Sequence, residues 1–214
     1  MIDLSQATES EEVKIRVQEG ILNKYLSSER HYHGIKHILD LNNKLDEYIH
    51  EESNAFRIPE VKLAIAMHDV VYDLPNFGSS NESKSAFFFR KYVLGQVPSL
   101  GDKVDVALVL DIIESTEYSN PDVVATEEDE FEFMLMHDLD FSSLGGPEWK
   151  FKEDFLNLRK EHWYISDRDF IVNRVKFLQS MLYQDNIYLL PYFQNKYEEQ
   201  AKRNLTNALK ELES

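Results

Sequence analysis

The 214-residue chain contains no cysteine. Disulfide staples, thiolate metal sites and cysteine nucleophiles are therefore excluded, and any metal must be held by His, Asp, Glu or backbone oxygen. Glycine and proline are sparse, at 7 and 6 residues, which favours long helices over many short strands joined by turns. No run of eighteen apolar residues occurs, so no segment reads as a membrane span. The N-terminus, MIDLSQATESEEVK, is acidic and lacks the apolar stretch of a signal peptide, which makes the cytoplasm the default expectation. Positive charge is also in short supply: 23 Lys and Arg face 39 Asp and Glu, for a formal net charge of −16. Such a balance argues against binding a nucleic-acid polymer, which needs Lys and Arg to replace counterions. A small anionic substrate would be repelled too, unless a metal and nearby Lys or Arg reversed the field locally.

What is present points to helices. Hydrophobic residues make up 43% and charged residues 29%, enough for a globular core without staples. Val104, Ala107, Leu108, Asp111 and Ile112 follow i, i+3, i+4, i+7, i+8 spacing, and Ile35, Ile38, Leu39, Leu45, Tyr48 and Ile49 form a second apolar stripe. Pro59 suits the start of a helix over Val61–Tyr72. Ser79-Ser80-Asn81-Glu82 reads as a capping box ahead of a Ser83–Leu94 helix that Gly95 would end. Weaker caps lie at Thr126–Asp129 and Ser166–Asp169. The acidic run Glu127–Glu130 fits a solvated helix start. Gly145-Gly146-Pro147 breaks the chain before helices expected at Glu148–Trp163, Ser166–Tyr183 and Asn195–Leu212. These signals predict an all-α protein, a single domain over 1–214 with about eight helices and no strand.

Three segments carry polar groups that chemistry could use. In Arg30-His31-Tyr32-His33-Gly34-Ile35-Lys36-His37 lie three of the seven histidines. With a helix starting near Tyr32, His33 and His37 would share one face. In AIAMHDVVYD, His68 and Asp69 interrupt a segment that is otherwise apolar on every side. Burying that pair costs several kcal/mol (on the order of) unless both partners are satisfied. A core His–Asp hydrogen bond would do this, and so would a metal if further ligands were near. In MHDLDFSSLG, Asp138 and Asp140 follow an apolar helix. Imidazole and carboxylate ligands suit Mn, Fe, Co, Ni, Zn or Mg in partly hydrated sites, and a metal-bound water is a nucleophile at neutral pH.

The order H…HD…D resembles that of the HD superfamily of metal-dependent phosphohydrolases. The blocks RHYHGIKHI, AIAMHDVVYD, NESKSA, DLDFSSLG and AKRNL are similar to those of its predicted phosphohydrolase members, from Arg30 to Leu205. The resemblance implies an HD-domain-like helical bundle, with an HD core over about 30–145 and C-terminal helices over 147–214. It implies one divalent ion held by His33, His68, Asp69 and Asp140, with His37 and Asp138 as alternative ligands. Two departures shape the expected activity. Tyr72 stands where guanosine tetraphosphate hydrolases carry an acidic residue, which leaves Glu82 as the preferred acid/base and Asp73 as its understudy. Ser115–Ser119 lacks a histidine that related sequences tend to carry nearby, so the expected site is mononuclear. Arg30, Lys36 and Arg159 are candidates to bind a phosphorylated substrate, with Arg30 close to the chemistry and Lys84 a further cation. The implied function is hydrolysis of a small phosphorylated, nucleotide-like substrate by a metal-activated water. The alternative is a non-catalytic HD-type module that binds a metal or nucleotide. A homodimer is compatible with the sequence, and no membrane partner is expected. Substrate choice would lie in the loops Leu74–Ser80 and Ser119–Thr126.

Overall fold

Short polar side chains start the helices. Ser10 accepts a hydrogen bond from the Val13 amide, Ser80 from Ser83, Asp105 from Leu108 and Ser166 from Asp169, each satisfying an amide that the first helical turn leaves without a partner. The computed structural model describes residues 2–52, 57–76, 78–117 and 126–213. Much of the loop Ser119–Thr126, and Phe77 in the loop Leu74–Ser80, lie outside the described residues. Among the described residues the fold is all-α, with no strand.

The helices are α1 (Glu11–Tyr25), α2 (Ile35–Glu52), α3 (Ile58–Met67), α4 (Asn81–Phe88), α5 (Val106–Ser115), α6 (Glu130–Phe141), α7 (Glu148–Glu161), α8 (Asp167–Tyr183) and α9 (Glu199–Glu213). Helix α4 continues through a π-helical turn, Phe89–Val93, into Leu94–Gln96, passing the Gly95 expected to stop it. Helix α9 is led in by Pro191–Phe193 and a second π turn, Gln194–Glu198. None of these helices is long and apolar enough to cross a membrane. The chain forms two compact units, 1–136 and 137–214, and the division falls inside the continuous helix α6.

In the first unit α3 packs on α2 and α5, and α5 also receives α4. Helix α3 is buried along nearly its whole length, from Glu60 through Met67 apart from Lys62, as expected of a helix apolar on all sides. It ends earlier than its apolar run suggests: His68 is its C-cap, and the chain leaves the helix before Tyr72. The reason lies in where the next backbone groups find partners. Arg30 donates to the carbonyls of Asp69 and Val70, and Ser85 bonds both the amide and the carbonyl of Val71. Helix α2 likewise begins at Ile35 and not near Tyr32, because Arg30 also takes the His33 carbonyl. Gly34 sits so close that a Cβ would lie 3.2 Å from the Arg30 carbonyl oxygen.

The second unit is organised by buried polar groups as well as by Leu178, Met181, Phe193, Ala201 and Leu205. Asn204 donates to the carbonyls of Leu144 (2.8 Å) and Gly146 (2.9 Å). A Cβ on Gly145 would lie 2.5 Å from Cβ of Tyr197, so only glycine fits there. Asp138 is fully buried and accepts from the amides of Leu189 (2.8 Å) and Leu190 (2.7 Å), with His137 Nδ1 2.9 Å away. Replacing Asp138 with Ala strands two backbone amides. Urea unfolding of Asp138→Ala should show a loss on the order of 2–4 kcal/mol, with Asp138→Asn between it and the parent protein.

Candidate metal centre

The end of α3 delivers the His-Asp doublet into a turn that other elements hold in place. Arg30 is the chief clamp. Its Nη1 donates to the His33 carbonyl (3.1 Å) and to that of Asp69 (2.5 Å), and its Nη2 to that of Val70 (3.0 Å). The guanidinium also lies 5.1 Å from the Tyr25 ring and 5.8 Å from the Tyr72 ring. A single cation thus ties the segment before α2 to the turn after α3, and its donors serve backbone carbonyls.

The protonation pattern of His68 follows from its neighbours. Its Nδ1 lies 3.0 Å from the Ile65 carbonyl oxygen. A carbonyl can only accept, so Nδ1 carries a proton and donates it. The other ring nitrogen, Nε2, faces Asp69 Oδ2 at 3.0 Å and His37 Nε2 at 3.3 Å. The Asp69 carboxyl is buried, which works to raise its pKa. The nearby His68, His33 and His37 outweigh burial and hold it well below the usual carboxylate range. The ionised carboxylate oxygen beside His68 Nε2 is balanced by positive charge, supplied by a proton on the ring or by a metal. The Nδ1–carbonyl bond that orients His68 is the arrangement commonly found behind a metal-ligating histidine.

His37, buried in the first turn of α2, has its Nε2 3.7 Å from the same Asp69 oxygen. Asp140 lies on α6, in the second unit. Within the first unit, His37 and His68, with ring nitrogens 3.3 Å apart and the Asp69 carboxylate beside both, form a group that could hold a metal ion. A proton can serve one lone-pair contact, whereas a divalent ion can serve all these donors together. Two imidazoles with carboxylates fit such an ion by ligand chemistry.

The other expected residues are distributed around this group. His33 precedes α2 and stacks on Tyr72, with ring centroids 4.0 Å apart, while its centroid is 6.1 Å from that of His37. Asp69 lies against His37 and His68. Glu82, in the first turn of α4, is partly buried; burial raises its pKa, and the charges of Asp69 and Glu117 push it further up. Asp73 is more open and pairs with Lys84 at 3.2 Å. Lys36 is exposed on α2. Arg159, in the second unit, holds the α7–α8 turn through Asp167 and the carbonyls of His162 and Ile165. Both carboxylate oxygens of Asp138 are turned to the amides of Leu189 and Leu190. Glu117 stands in no spacing that points to the centre, and Tyr72, marked by its place in the HDVVYD block, gave no sign that it would stack on His33.

Set against known proteins, the chain matches no family model, no curated protein and no solved structure.

Because Arg30 joins two segments through three carbonyls, Arg30→Met should lower stability by about 2–4 kcal/mol in thermal or urea unfolding. Arg30→Lys should recover little, since an ammonium cannot span the same fork.

Proposed function

We propose that this protein is a metal-dependent phosphohydrolase of the HD-superfamily kind that its sequence blocks resemble, acting on a small phosphorylated substrate. The observation that carries the reading is the buried grouping of His68 Nε2 with the Asp69 carboxylate at 3.0 Å and His37 Nε2 at 3.3 Å. A proton satisfies one of these contacts, whereas a divalent ion serves both imidazoles and the carboxylate together.

His37 and His68 would hold the ion, with Asp69 beside them and His33 next to it, and Asp140 is the further ligand that the resemblance implies. A bound divalent ion supplies a lowered pKa for water and neutralises phosphoryl charge. The chain's own groups do the rest. Hydrolysis joins a water oxygen to phosphorus and breaks the bond to the leaving oxygen, and a proton must leave the water. Glu82 suits that proton, because it is partly buried next to Asp69 and its pKa is raised toward the working range of a general base. Asp73, exposed and paired with Lys84, is the weaker candidate. Arg30 acts as a positioning residue that keeps the His33 and Asp69 segments in register.

His68→Ala should lose bound metal, read by elemental analysis of purified protein, and lose hydrolysis of a nucleotide panel in Mn²⁺, with its helical circular dichroism retained. Full activity in that variant would reject the site. Metal uptake by the parent protein with no turnover of any phosphorylated compound would instead favour a regulatory module. Glu82→Gln should keep the metal and lower kcat by roughly 10²–10⁴-fold. In the parent protein the base must be deprotonated, so kcat/KM should fall as pH drops. With its pKa raised, that acid limb should lie above the ordinary glutamate range and disappear in Glu82→Gln.

A further inference from the structure

In the second unit, helix α7 carries a face that the fold leaves uncovered. Trp149, Lys152, Glu153 and Leu156 stand at i, i+3, i+4 and i+7, the spacing of one helical face over two turns. Trp149 is 69% exposed and Leu156 59%. Other positions of the helix serve the core: Phe151 is buried, and Phe155 packs edge-on against Phe170 with ring centroids 5.5 Å apart. A single exposed apolar side chain is ordinary. Here a tryptophan and a leucine share one face with two opposite charges set between them. A cavity of about 300 Å³ lies beside that face, between α7 and α9, with apolar walls from Phe151, Phe155, Leu156, Ala208 and Leu212.

The order of groups along the face identifies what would cover it. From Trp149 to Leu156 it runs apolar, cation, anion, apolar; in reverse it runs apolar, anion, cation, apolar. Two copies of α7 laid antiparallel, with Trp149 opposite Leu156 of the second copy, therefore set Lys152 opposite Glu153 of the second copy, and two-fold symmetry repeats both pairs. A parallel pairing would oppose Lys152 to Lys152 and Glu153 to Glu153, and like charges facing each other across an interface are costly. The antiparallel contact is isologous, so it closes as a dimer. In it Trp149 meets Leu156 and the adjoining cavity of the second copy, as a knob meets a hole. Both charges have neighbours within the chain: Lys152 lies 2.9 Å from Glu148 and 3.0 Å from Glu211, and Glu153 lies 3.0 Å from Lys150. All of these groups are at the surface, where an ion pair contributes little, so adding or exchanging a partner costs little.

We propose that a second copy of this chain covers Trp149 and Leu156 through an antiparallel, two-fold pairing of α7 with α7. The matched face is about 11 Å long, short for an obligate interface, so the dimer should dissociate on dilution. Sedimentation velocity of the full chain, from micromolar to millimolar concentration, should show monomer passing into dimer. A chain that stays monomeric throughout overturns the proposal. Trp149→Ala, a change at an exposed position, should raise the dimer Kd about tenfold or more; an unchanged Kd overturns it. Charge reversal tests the orientation. Lys152→Glu and Glu153→Lys should each be monomeric alone, because each sets like charges across the contact. Mixed one to one, the two variants should form a heterodimer, since every carboxylate at these positions then meets an ammonium group. A dimer that survives Glu153→Lys, or two variants with the parent's helical circular dichroism that fail to pair when mixed, overturns the proposal. Should Lys152→Glu lose its helical signal by crowding Glu148 and Glu211, Trp149→Ala and Glu153→Lys decide the matter.

Discussion

Three backbone carbonyls, those of His33, Asp69 and Val70, converge on the guanidinium of Arg30. The rest of the candidate centre depends on this convergence. It ends α3 at the doublet, delays the start of α2 to Ile35, and leaves His68 and Asp69 on a turn where their side chains can meet those of other helices. A helix continuing through Asp69 would have sent the two side chains about 100° apart around its axis. The clamp stands in for two turns of helical hydrogen bonds that the sequence alone would support.

Electrostatics then sorts the buried acids into different tasks. Asp69 is held ionised by the imidazoles around it, while Glu82 is shifted the opposite way by burial and by Asp69 itself. Asp138 has no such freedom, because its oxygens are spent on backbone amides of the second unit. Of the two aspartates separated by one residue on α6, Asp138 secures the loop before Pro191. Carboxylates pushed apart in pKa within one small region are a hallmark of sites that handle protons.

The all-α class was legible from sparse Gly and Pro, and the cap at Ser166 falls within the Ser166–Asp169 signal, while the helix expected from Ser83 starts two residues earlier, capped by Ser80. Helix ends at the centre were harder to read. AIAMHDVVYD is apolar enough to continue as helix, and nothing local in it shows that Arg30, 39 residues away in sequence, takes its carbonyl. The same applies to His33 and His37: the spacing suggests one helical face, but a hydrogen bond from Arg30 puts His33 outside the helix and leaves it stacked on Tyr72. The histidines, Asp69, Asp140 and Glu82 could be picked out by residue type. Their relative order of approach could not, because it depends on side-chain contacts between segments far apart in the chain.

The hydrogen bond from His68 Nδ1 ends on the carbonyl of Ile65, in the last turn of the helix that carries the histidine itself. The aim of Nε2 is therefore only as durable as that one turn, whose own closure runs from the His68 amide to Ala64. Local fraying there, far short of global unfolding, would let the imidazole swing aside. Amide exchange at His68 and loss of the Nε2 alignment are in this way two readings of a single opening event.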